Sequence, residues 1–267
     1  MVKASRRLNT VSDSTLAQDT ILEIQDLEVS FSGFKAVSGL NLTVIQGEVR
    51  VLIGANGAGK TTTMDLISGK TKATDGRILF KGKDITNWEP HQISRIGVGR
   101  KFQIPSVFKD LTVFENMQVA LCATPSVLRN LQWRIGNKHH NRIERILHHI
   151  GLNDYKYQTA KYLSHGQTQW LEIGMVLAQD PELVLLDEPT AGMTTQETRK
   201  TAEIINNLKG QHTILVVEHD MTFVRDICET ITVMHQGKKL SEGTISEIEN
   251  DPSVIEAYLG SGGISHA

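Results

Sequence analysis

Residues 54–61 carry glycines, a lysine and a threonine at a spacing suited to phosphate binding. The segment reads Gly54-Ala55-Asn56-Gly57-Ala58-Gly59-Lys60-Thr61, and it follows the apolar run 51–53. Glycines permit positive φ, so backbone N–H groups can turn inward around phosphate oxygens at a helix start. Lys60 would then reach the β- and γ-phosphates, while the Thr61 hydroxyl would hold Mg²⁺. A glycine-rich turn can merely join a strand to a helix, but the complete match in this context predicts nucleoside triphosphate binding.

Two adjacent carboxylates end a second apolar run. Residues 183–186 read Leu-Val-Leu-Leu and lead directly into Asp187 and Glu188. At the end of a buried strand, Asp187 would hold Mg²⁺ through its water shell, and Glu188 would polarise the attacking water. A strand can simply end in acidic residues, but the complete phosphate loop upstream favours the catalytic interpretation.

A histidine and a glutamine are further candidates for the same site. The apolar run Thr213–Val217 ends in Glu218-His219-Asp220. If these strands run parallel, His219 lies at the sheet end that carries Asp187 and donates to the γ-phosphate. Gln103 precedes the break at Pro105 and could bind Mg²⁺ or the attacking water, although loop glutamines are usually only solvated. Its position alone does not decide its role.

The segment Leu163-Ser164-His165-Gly166-Gln167 predicts a helix start. Ser164 and Gln167 have the spacing of a capping box, and the apolar residues of 170–177 give the next helix a buried side before Asp180-Pro181. Such a start presents free N–H groups and the positive end of the helix dipole, which suit an anion. By itself this motif is weak.

The flanking elements predict an α/β chain. Alternating apolar residues in 22–30 and 40–44 predict antiparallel strands ahead of the phosphate loop, and hairpins are predicted near 77–84 and 230–242. Capping-box patterns begin helices at Thr112 and Thr194, and a helical tail is predicted over 245–259. Phe31, beside a Ser-Gly turn, could stack on a nucleotide base or be an exposed core-edge residue, and we favour stacking.

Composition limits the class of protein. The 267 residues suit one α/β domain with an inserted subdomain, and 28 basic against 30 acidic residues give no bulk reason to expect nucleic acid. The two cysteines, Cys122 and Cys228, lack ligand spacing and suit a reducing compartment. The apolar runs are too short to span a bilayer, and residues 1–20 lack the apolar core of a signal peptide. We expect flexible tails at 1–20 and 260–267.

Residues 133–150 form a basic, histidine-rich helical pattern. His140, Glu144 and His148 share one helix face and could bind a metal, but a further ligand is lacking nearby. A solvated face is therefore favoured. Anionic lipid headgroups or a partner's acidic loop are minor alternatives.

In order and spacing, these motifs resemble the ATP-binding subunits of ATP-binding-cassette transporters over most of the chain. The resemblance implies a P-loop NTPase fold with a RecA-like core, an antiparallel β subdomain and an inserted helical subdomain at about 105–163, within one domain over 21–259. It implies a Mg²⁺-dependent ATPase. The implied nucleotide-binding residues are Phe31, Gly54, Ala55, Asn56, Gly57, Ala58, Gly59, Lys60, Thr61, Thr62, Ser164, Gly166 and Gln167. The implied metal-binding residues are Thr61, Gln103 and Asp187, and the catalytic ones are Glu188, His219 and Gln103.

The resemblance also implies partners. ATP on one subunit would be closed over by the 164–167 signature of a second ATPase subunit, in a head-to-tail homo- or heterodimer. Permease subunits, and indirectly a periplasmic solute-binding protein, would complete an importer at the cytoplasmic face of the bacterial inner membrane. Residues 99–103, 170–174, 191–193 and 217–221 resemble the branched-chain amino-acid importer branch, and within it most closely the urea importer ATPases. Urea, otherwise branched-chain amino acids or short amides, is the predicted solute.

Two positions depart from the family pattern. His165 stands where glycine is usual, and Thr194 stands where an aspartate is common after the paired carboxylates. Ser164 and Gly166 remain, so we expect the signature to function. Thr194 lacks the usual carboxylate, and the sequence therefore does not decide how two ATP sites would communicate. The alternatives are the ATPase of a lipid or lipopolysaccharide exporter, a soluble ATPase of this fold acting on nucleic acid or ribosomes, and a purely structural nucleotide-binding module.

Overall fold

Two β-sheets and the helices around them make up the computed structural model, which describes residues 19–101, 107–121 and 137–259. The strands are β1 (Thr20–Phe31), β2 (Phe34–Ile45), β3 (Val49–Ile53), β4 (Asp75–Phe80), β5 (Lys83–Asp84), β6 (Val98–Lys101), β7 (Leu183–Asp187), β8 (Thr213–Val217), β9 (Thr230–His235) and β10 (Lys238–Gly243). The helices are α1 (Lys60–Ile67), α2 (Pro90–Arg95), α3 (Val113–Leu121), α4 (Asn137–His149), α5 (His165–Leu177), α6 (Thr195–Leu208), α7 (Met221–Ile227), α8 (Ile245–Glu249) and α9 (Pro252–Leu259), with 3-10 turns at Asn153–Tyr155 and Ala160–Tyr162.

The larger sheet has the strand order β10-β9-β3-β8-β7-β6. β3 lies parallel to both β8 and β9, and β7 lies parallel to both β6 and β8. Every residue of β3, β7 and β8 is buried, as expected for parallel strands covered on both faces. The carboxyl ends of these three strands therefore meet at one edge, which is where open α/β sheets bind ligands.

The smaller sheet has the order β2-β1-β4-β5, and its paired strands are antiparallel. β1 and β2 join through the predicted turn at Ser32-Gly33, and β4 and β5 form the predicted hairpin. Both sheets contribute to a core under the phosphate loop, because Leu52, Leu185 and Val217 of the larger sheet pack with Leu22 and Phe80 of the smaller one.

The predicted helix starts at Thr112, Ser164 and Thr194 are confirmed. In each, the side-chain oxygen of the capping residue accepts from a backbone N–H three residues on, and the acid or amide at that position accepts from the capping residue's N–H. α3, α4 and α5 pack around Gly174 of α5, where a Cβ would lie 3.3 Å from Met117 Sδ of α3 and 3.5 Å from Ile146 Cγ2 of α4. α3 and α4 lie within the helical subdomain predicted at about 105–163, and α5 begins just after it.

The C-terminal tail differs from the single helix predicted over 245–259. It forms two helices, α8 and α9, separated at Asn250-Asp251. Pro252 explains the break, since proline disfavours helical backbone in the residue before it and is well suited to a first helical position. In the described part of the chain, no helix is long and apolar enough to cross a membrane.

Candidate active site

The phosphate loop connects β3 to α1 in a conformation that requires glycine. Gly54 has φ +154°, and a Cβ there would lie 2.3 Å from the Met234 carbonyl oxygen. Gly59 has φ +98°, and a Cβ there would lie 2.6 Å from the Ala36 carbonyl oxygen. Since backbone from β9 and β2 approaches so closely, the loop is held against both sheets.

Lys60 begins α1 and turns back over the loop. Its Nζ donates to the carbonyl oxygens of Gly54 at 2.7 Å and Ala55 at 3.1 Å. Burial lowers the pKa of the Lys60 ammonium, and the nearby carboxylates of Glu188 and Asp187 oppose that shift. The cation is thus positioned inside the loop, where phosphate oxygens could replace the two carbonyls as its acceptors.

Thr61 and Asp187 come together as the sequence predicted. Thr61 Oγ1 donates to Asp187 Oδ1 at 3.4 Å, across 126 residues of chain. Asp187 ends β7 and is buried. Burial raises the pKa of its carboxyl, and the guanidinium of Arg100 opposes the rise.

Arg100, at the end of β6, is a site residue that the sequence analysis missed. Its Nη1 lies 2.6 Å from Asp65 Oδ1 and donates to Ser68 Oγ at 2.7 Å, while Nη2 lies 3.4 Å from Asp187 Oδ2. The side chain is only 5% exposed. Arg100 therefore ties Asp187 to α1, so Thr61 and Arg100 together fix both oxygens of the carboxylate.

Glu188 and His219 face each other at the same sheet edge. His219 Nδ1 lies 3.9 Å from Glu188 Oε1, and the His219 side chain is 69% exposed. Glu188 has φ +46°, an uncommon backbone conformation for a residue with a side chain. Its N–H donates to the Val217 carbonyl oxygen at 2.9 Å. The turn after β7 is thus fastened to the end of β8. The parallel strands place His219 beside Glu188 and at the sheet end that carries Asp187, as predicted.

Glu218 links the turn after β7 to the end of β8 through hydrogen bonds to Thr190 and His219. The sequence analysis gave it no role. Its Oε1 accepts from the Thr190 N–H at 3.1 Å and from Thr190 Oγ1 at 2.5 Å, and its Oε2 accepts from the His219 N–H at 3.0 Å. The residue is 1% exposed. The sequence signal for this role was an acidic residue directly after a buried strand. A carboxylate that is buried there needs hydrogen-bond donors around it.

The start of α5 carries the predicted capping box, but it also has a neighbour that was not predicted. Ser164 Oγ accepts from the Gln167 N–H at 3.2 Å, and Ser164 Oγ–H and the Gly166 N–H both donate to Glu197 Oε1, at 2.8 and 3.1 Å. His165 Nε2 donates to the Ala191 carbonyl oxygen at 2.9 Å, since a carbonyl only accepts. The signature therefore contacts the segment after β7 within the same chain.

Comparison with known proteins identifies the family. The family model described as "ABC transporter" matches residues 37–191, and one described as "Branched-chain amino acid ATP-binding cassette transporter" matches residues 238–264. The chain belongs to the ATP-binding subunits of ABC transporters. An ABC subunit of this kind is an ATPase coupled to transport, and this chain falls in the importer branch of the branched-chain amino acid transporters.

Two curated relatives and one solved structure show how far the similarity of this ABC subunit extends. LivG of Escherichia coli K12, a high-affinity branched-chain amino acid transport ATP-binding protein, is 37% identical over 254 residues, which cover 90% of this chain and 98% of LivG. BraF of Pseudomonas aeruginosa, of the same description, is 36% identical over 254 residues, with the same coverage. The ADP conformation of MJ1267, an ATP-binding cassette of an ABC transporter, has a TM-score of 0.80 at 33% identity and covers 90% of this chain and 99% of its own.

The donor set of the ABC subunit fits Mg²⁺ bound with ATP. Thr61 and Asp187 offer a hydroxyl and a carboxylate oxygen 3.4 Å apart beside the phosphate loop, and oxygen is the ligand that Mg²⁺ prefers. The alternative metal site on α4 has no such set. Glu144 there pairs with Lys156 at 2.7 Å and His140 at 3.4 Å, and among the described residues no group of three ligating side chains could hold a metal.

The roles assigned to the residues of the ABC site remain predictions, including those of Gln103 and Phe31. Gln103 lies outside the described residues, two positions beyond the end of β6. Phe31 is 49% exposed at the end of β1, and Phe34, across the turn, is 66% exposed. Their hairpin passes the phosphate loop at Ala36, so an aromatic ring close to a bound base is compatible with this geometry.

Proposed function

We propose that this ABC subunit hydrolyses MgATP at the sheet edge that carries Lys60, Thr61, Asp187, Glu188 and His219, and that hydrolysis drives the uptake of a small polar solute. The observation that carries the proposal is the convergence of five side chains from β3, β7 and β8. The three strands are parallel, so the residues that follow them lie at the same edge of the sheet.

The roles of these residues follow from their atoms. Lys60 and the loop N–H groups would bind the phosphates, and Thr61 and Asp187 would hold Mg²⁺, which when bound neutralises charge on the phosphate oxygens. Glu188 would accept a proton from the attacking water. His219 Nδ1, 3.9 Å from Glu188, would orient that carboxylate or donate to the γ-phosphate. Phe31 would stack on the base, and Gln103, which follows β6 in the chain, would bind Mg²⁺ or the attacking water.

A second ATPase subunit completes the proposed site. Ser164, Gly166 and Gln167 lie at the start of α5 and offer a hydroxyl and helix N–H groups suited to an anion. Ser164 and Gly166 donate to Glu197, and among the described residues no hydrogen bond joins these three to the phosphate loop. We therefore propose that they serve the nucleotide of a partner, in a head-to-tail dimer that closes on ATP and reopens after hydrolysis.

The helical subdomain is the proposed permease contact. Among the described residues, five of the eight large apolar side chains that are exposed lie in 107–163. They are Phe108, Val119, Tyr155, Tyr157 and Tyr162. This concentration of exposed apolar side chains in one part of the chain supports the proposal of an interaction surface there. Docking to permease subunits there would hold the ATPase at the cytoplasmic face of the inner membrane, with a solute-binding protein acting on the far side.

The transported solute is proposed from the names of the relatives and from the sequence motifs. LivG and BraF are named for branched-chain amino acid transport, so leucine, isoleucine and valine are the first solutes to test. Urea, which the motifs predicted, is the second. ATP hydrolysis by the complex reconstituted with its permease and solute-binding protein would rise with one set of solutes and not with the other.

The Glu188→Gln variant tests the catalytic assignment. We expect hydrolysis to fall by about 10²–10⁴-fold while ATP binding is retained, since the amide cannot accept the proton. Glu229→Gln, on the surface, makes the same chemical change as a control and should retain full turnover. Turnover close to that of the control in Glu188→Gln would remove Glu188 from the mechanism.

The same variant tests the dimer. Because hydrolysis is blocked, light scattering should show a doubling of mass with MgATP, and Ser164→Arg should abolish that doubling. A mass that stays monomeric at saturating ATP would contradict a homodimer and direct the search to a different ATPase subunit.

A further inference from the structure

Glu197 occupies the anion-binding end of the signature helix from within the same chain. Its Oε1 accepts from Ser164 Oγ–H at 2.8 Å and from the Gly166 N–H at 3.1 Å. Its Oε2 accepts from the N–H and the hydroxyl of Thr194, both at 3.0 Å. One carboxylate thus bridges the start of α5 and the start of α6.

The contact occupies two donors that a second anion would need. A Cβ built on Gly166 would lie 2.5 Å from Glu197 Oε1, so the carboxylate rests directly on the first turn of α5. Ser164 Oγ and the Gly166 nitrogen each carry a single hydrogen. Neither can donate fully to a phosphate while it donates to Glu197.

His165 and Thr194, the two departures from the family pattern, both make contacts around Glu197 and the segment before it. Thr194 orients Glu197 through its capping box, and His165 ties the signature to the Ala191 carbonyl. A Cβ on Gly192 would lie 3.3 Å from His165 Nε2. The segment 191–197 is therefore joined to the signature at both of its ends, by His165 and by Glu197.

We propose that Glu197 is an autoinhibitory ligand of the signature, which the γ-phosphate of the partner's ATP must displace before the dimer closes. The inference rests on the proposed function, because it takes Ser164 and Gly166 to bind the partner's nucleotide. The carboxylate keeps these donors hydrogen-bonded in the monomer and sets an energetic threshold for closure. Release of Glu197 also removes one of the two contacts between the signature and the segment 191–197, which follows Glu188 in the chain, so closure and the catalytic turn are linked.

Glu197→Gln is the sharpest variant. Glutamine is a regular member of capping boxes, so its one carbonyl oxygen can keep the bond to the Thr194 N–H. Its amide N–H₂ then faces Ser164 and Gly166. The Gly166 N–H loses its acceptor, and the Ser164 hydroxyl can accept from the amide but no longer donates to this side chain, so both donors become available to a phosphate. Glu203→Gln is the matched control, since Glu203 lies on the same helix, is 63% exposed and pairs only with Lys200 among the contacts described for it.

The experiment measures mass by light scattering against MgATP concentration, with every protein also carrying Glu188→Gln. We expect Glu197→Gln to lower the ATP concentration for half-maximal dimer by about 5- to 10-fold relative to the parent and to Glu203→Gln. Melting temperatures without nucleotide should agree among the three proteins, which shows that the cap survives. Dimer formation by Glu197→Gln alone, with a monomeric parent, would equally support the proposal.

Three results separate failure of the inference from failure of the proposed function. If the parent doubles in mass with ATP and Glu197→Gln needs as much ATP or more, the inference is wrong and the dimer stands. In that case Glu197 positions the signature instead of blocking it. If no protein dimerises and the chain with Glu188 restored does not hydrolyse ATP with its permease, both are wrong. If that chain does hydrolyse ATP, only the inference is overturned, because removing the contact did not permit closure.

Discussion

Thr61 Oγ1 lies 3.4 Å from Asp187 Oδ1, although the two residues are 126 positions apart in the chain. The first is the second residue of α1, which follows the phosphate loop, and the second ends the strand β7. Arg100 contacts the other carboxylate oxygen. The proposed metal site is thus formed by contacts that join α1 to β6 and β7 of the larger sheet.

Replacing Thr61 tests this pair. We expect Thr61→Ala to raise the Mg²⁺ concentration for half-maximal ATP hydrolysis by about 10-fold or more, because an oxygen ligand and the hydrogen bond to Asp187 are both lost. Thr61→Ser keeps the hydroxyl and should remain within a few-fold of the parent protein. Equal Mg²⁺ requirements for the two variants, measured over a titration, would show that the hydroxyl does not contact the metal.

A buried ion pair links the site to the signature helix. Lys101 Nζ, at the end of β6, lies 3.5 Å from Glu172 Oε2 on α5, and both side chains are 3% exposed. Burial lowers the pKa of the Lys101 ammonium, and Glu172 opposes the shift. We expect Lys101→Met to reduce the free energy of unfolding by about 3–5 kcal/mol, because it leaves a buried carboxylate without its cation.

The double variant Lys101→Met with Glu172→Leu supplies the decisive comparison in denaturant titrations. It should recover most of the lost stability, since an apolar pair no longer has a charge to desolvate. The exposed pair of Lys81 and Glu182, at 2.7 Å, provides the control, and Lys81→Met should cost less than about 1 kcal/mol. A double variant no more stable than Lys101→Met would place the cost in packing and not in charge.

Asp251 makes stability depend on pH in the acid range. Its carboxylate accepts from Ser241 Oγ at 2.5 Å and from Ser253 Oγ at 2.6 Å and the Ser253 N–H at 2.8 Å, and these bonds lower its pKa to about 2. An unfolded aspartate has a pKa of about 3.9. The stabilisation is therefore fully present above about pH 4 and is lost as the pH falls towards 2.

Asp251→Asn should accordingly lower the midpoint of denaturant unfolding at pH 7 and pH 5 by the same amount, and the difference from the parent should shrink at pH 4 and pH 3. Asp110→Asn is the control at a side chain that is 95% exposed, and it should change the midpoint little at any of these pH values. A difference for Asp251→Asn that stays constant down to pH 3 would contradict the assigned pKa.

The sequence predicted the elements that depend on neighbours along the chain. The phosphate loop, the capping boxes at Thr112, Ser164 and Thr194, the acidic end of β7 and the hairpins were all confirmed, because each is set by residues within a few positions of one another. The buried side of α5 was predicted less well. Gln169 and Glu172 are buried there while Trp170 and Met175 are only partly so, since the helix faces a buried lysine on β6 as well as apolar side chains.

The tertiary structure alone decided what surrounds the predicted site residues. Local periodicity carries no information on which strand lies beside which, so the contacts of Arg100 with Asp187 and of Glu197 with Ser164 could not be predicted from the spacing of residues. Glu197 illustrates the difference. Its capping box with Thr194, three residues away, could be predicted from the sequence, whereas its bond to Ser164 joins residues 33 positions apart. A carboxylate has two oxygens, and the sequence determined the partner of one, while the packing of α5 against α6 determined the partner of the other.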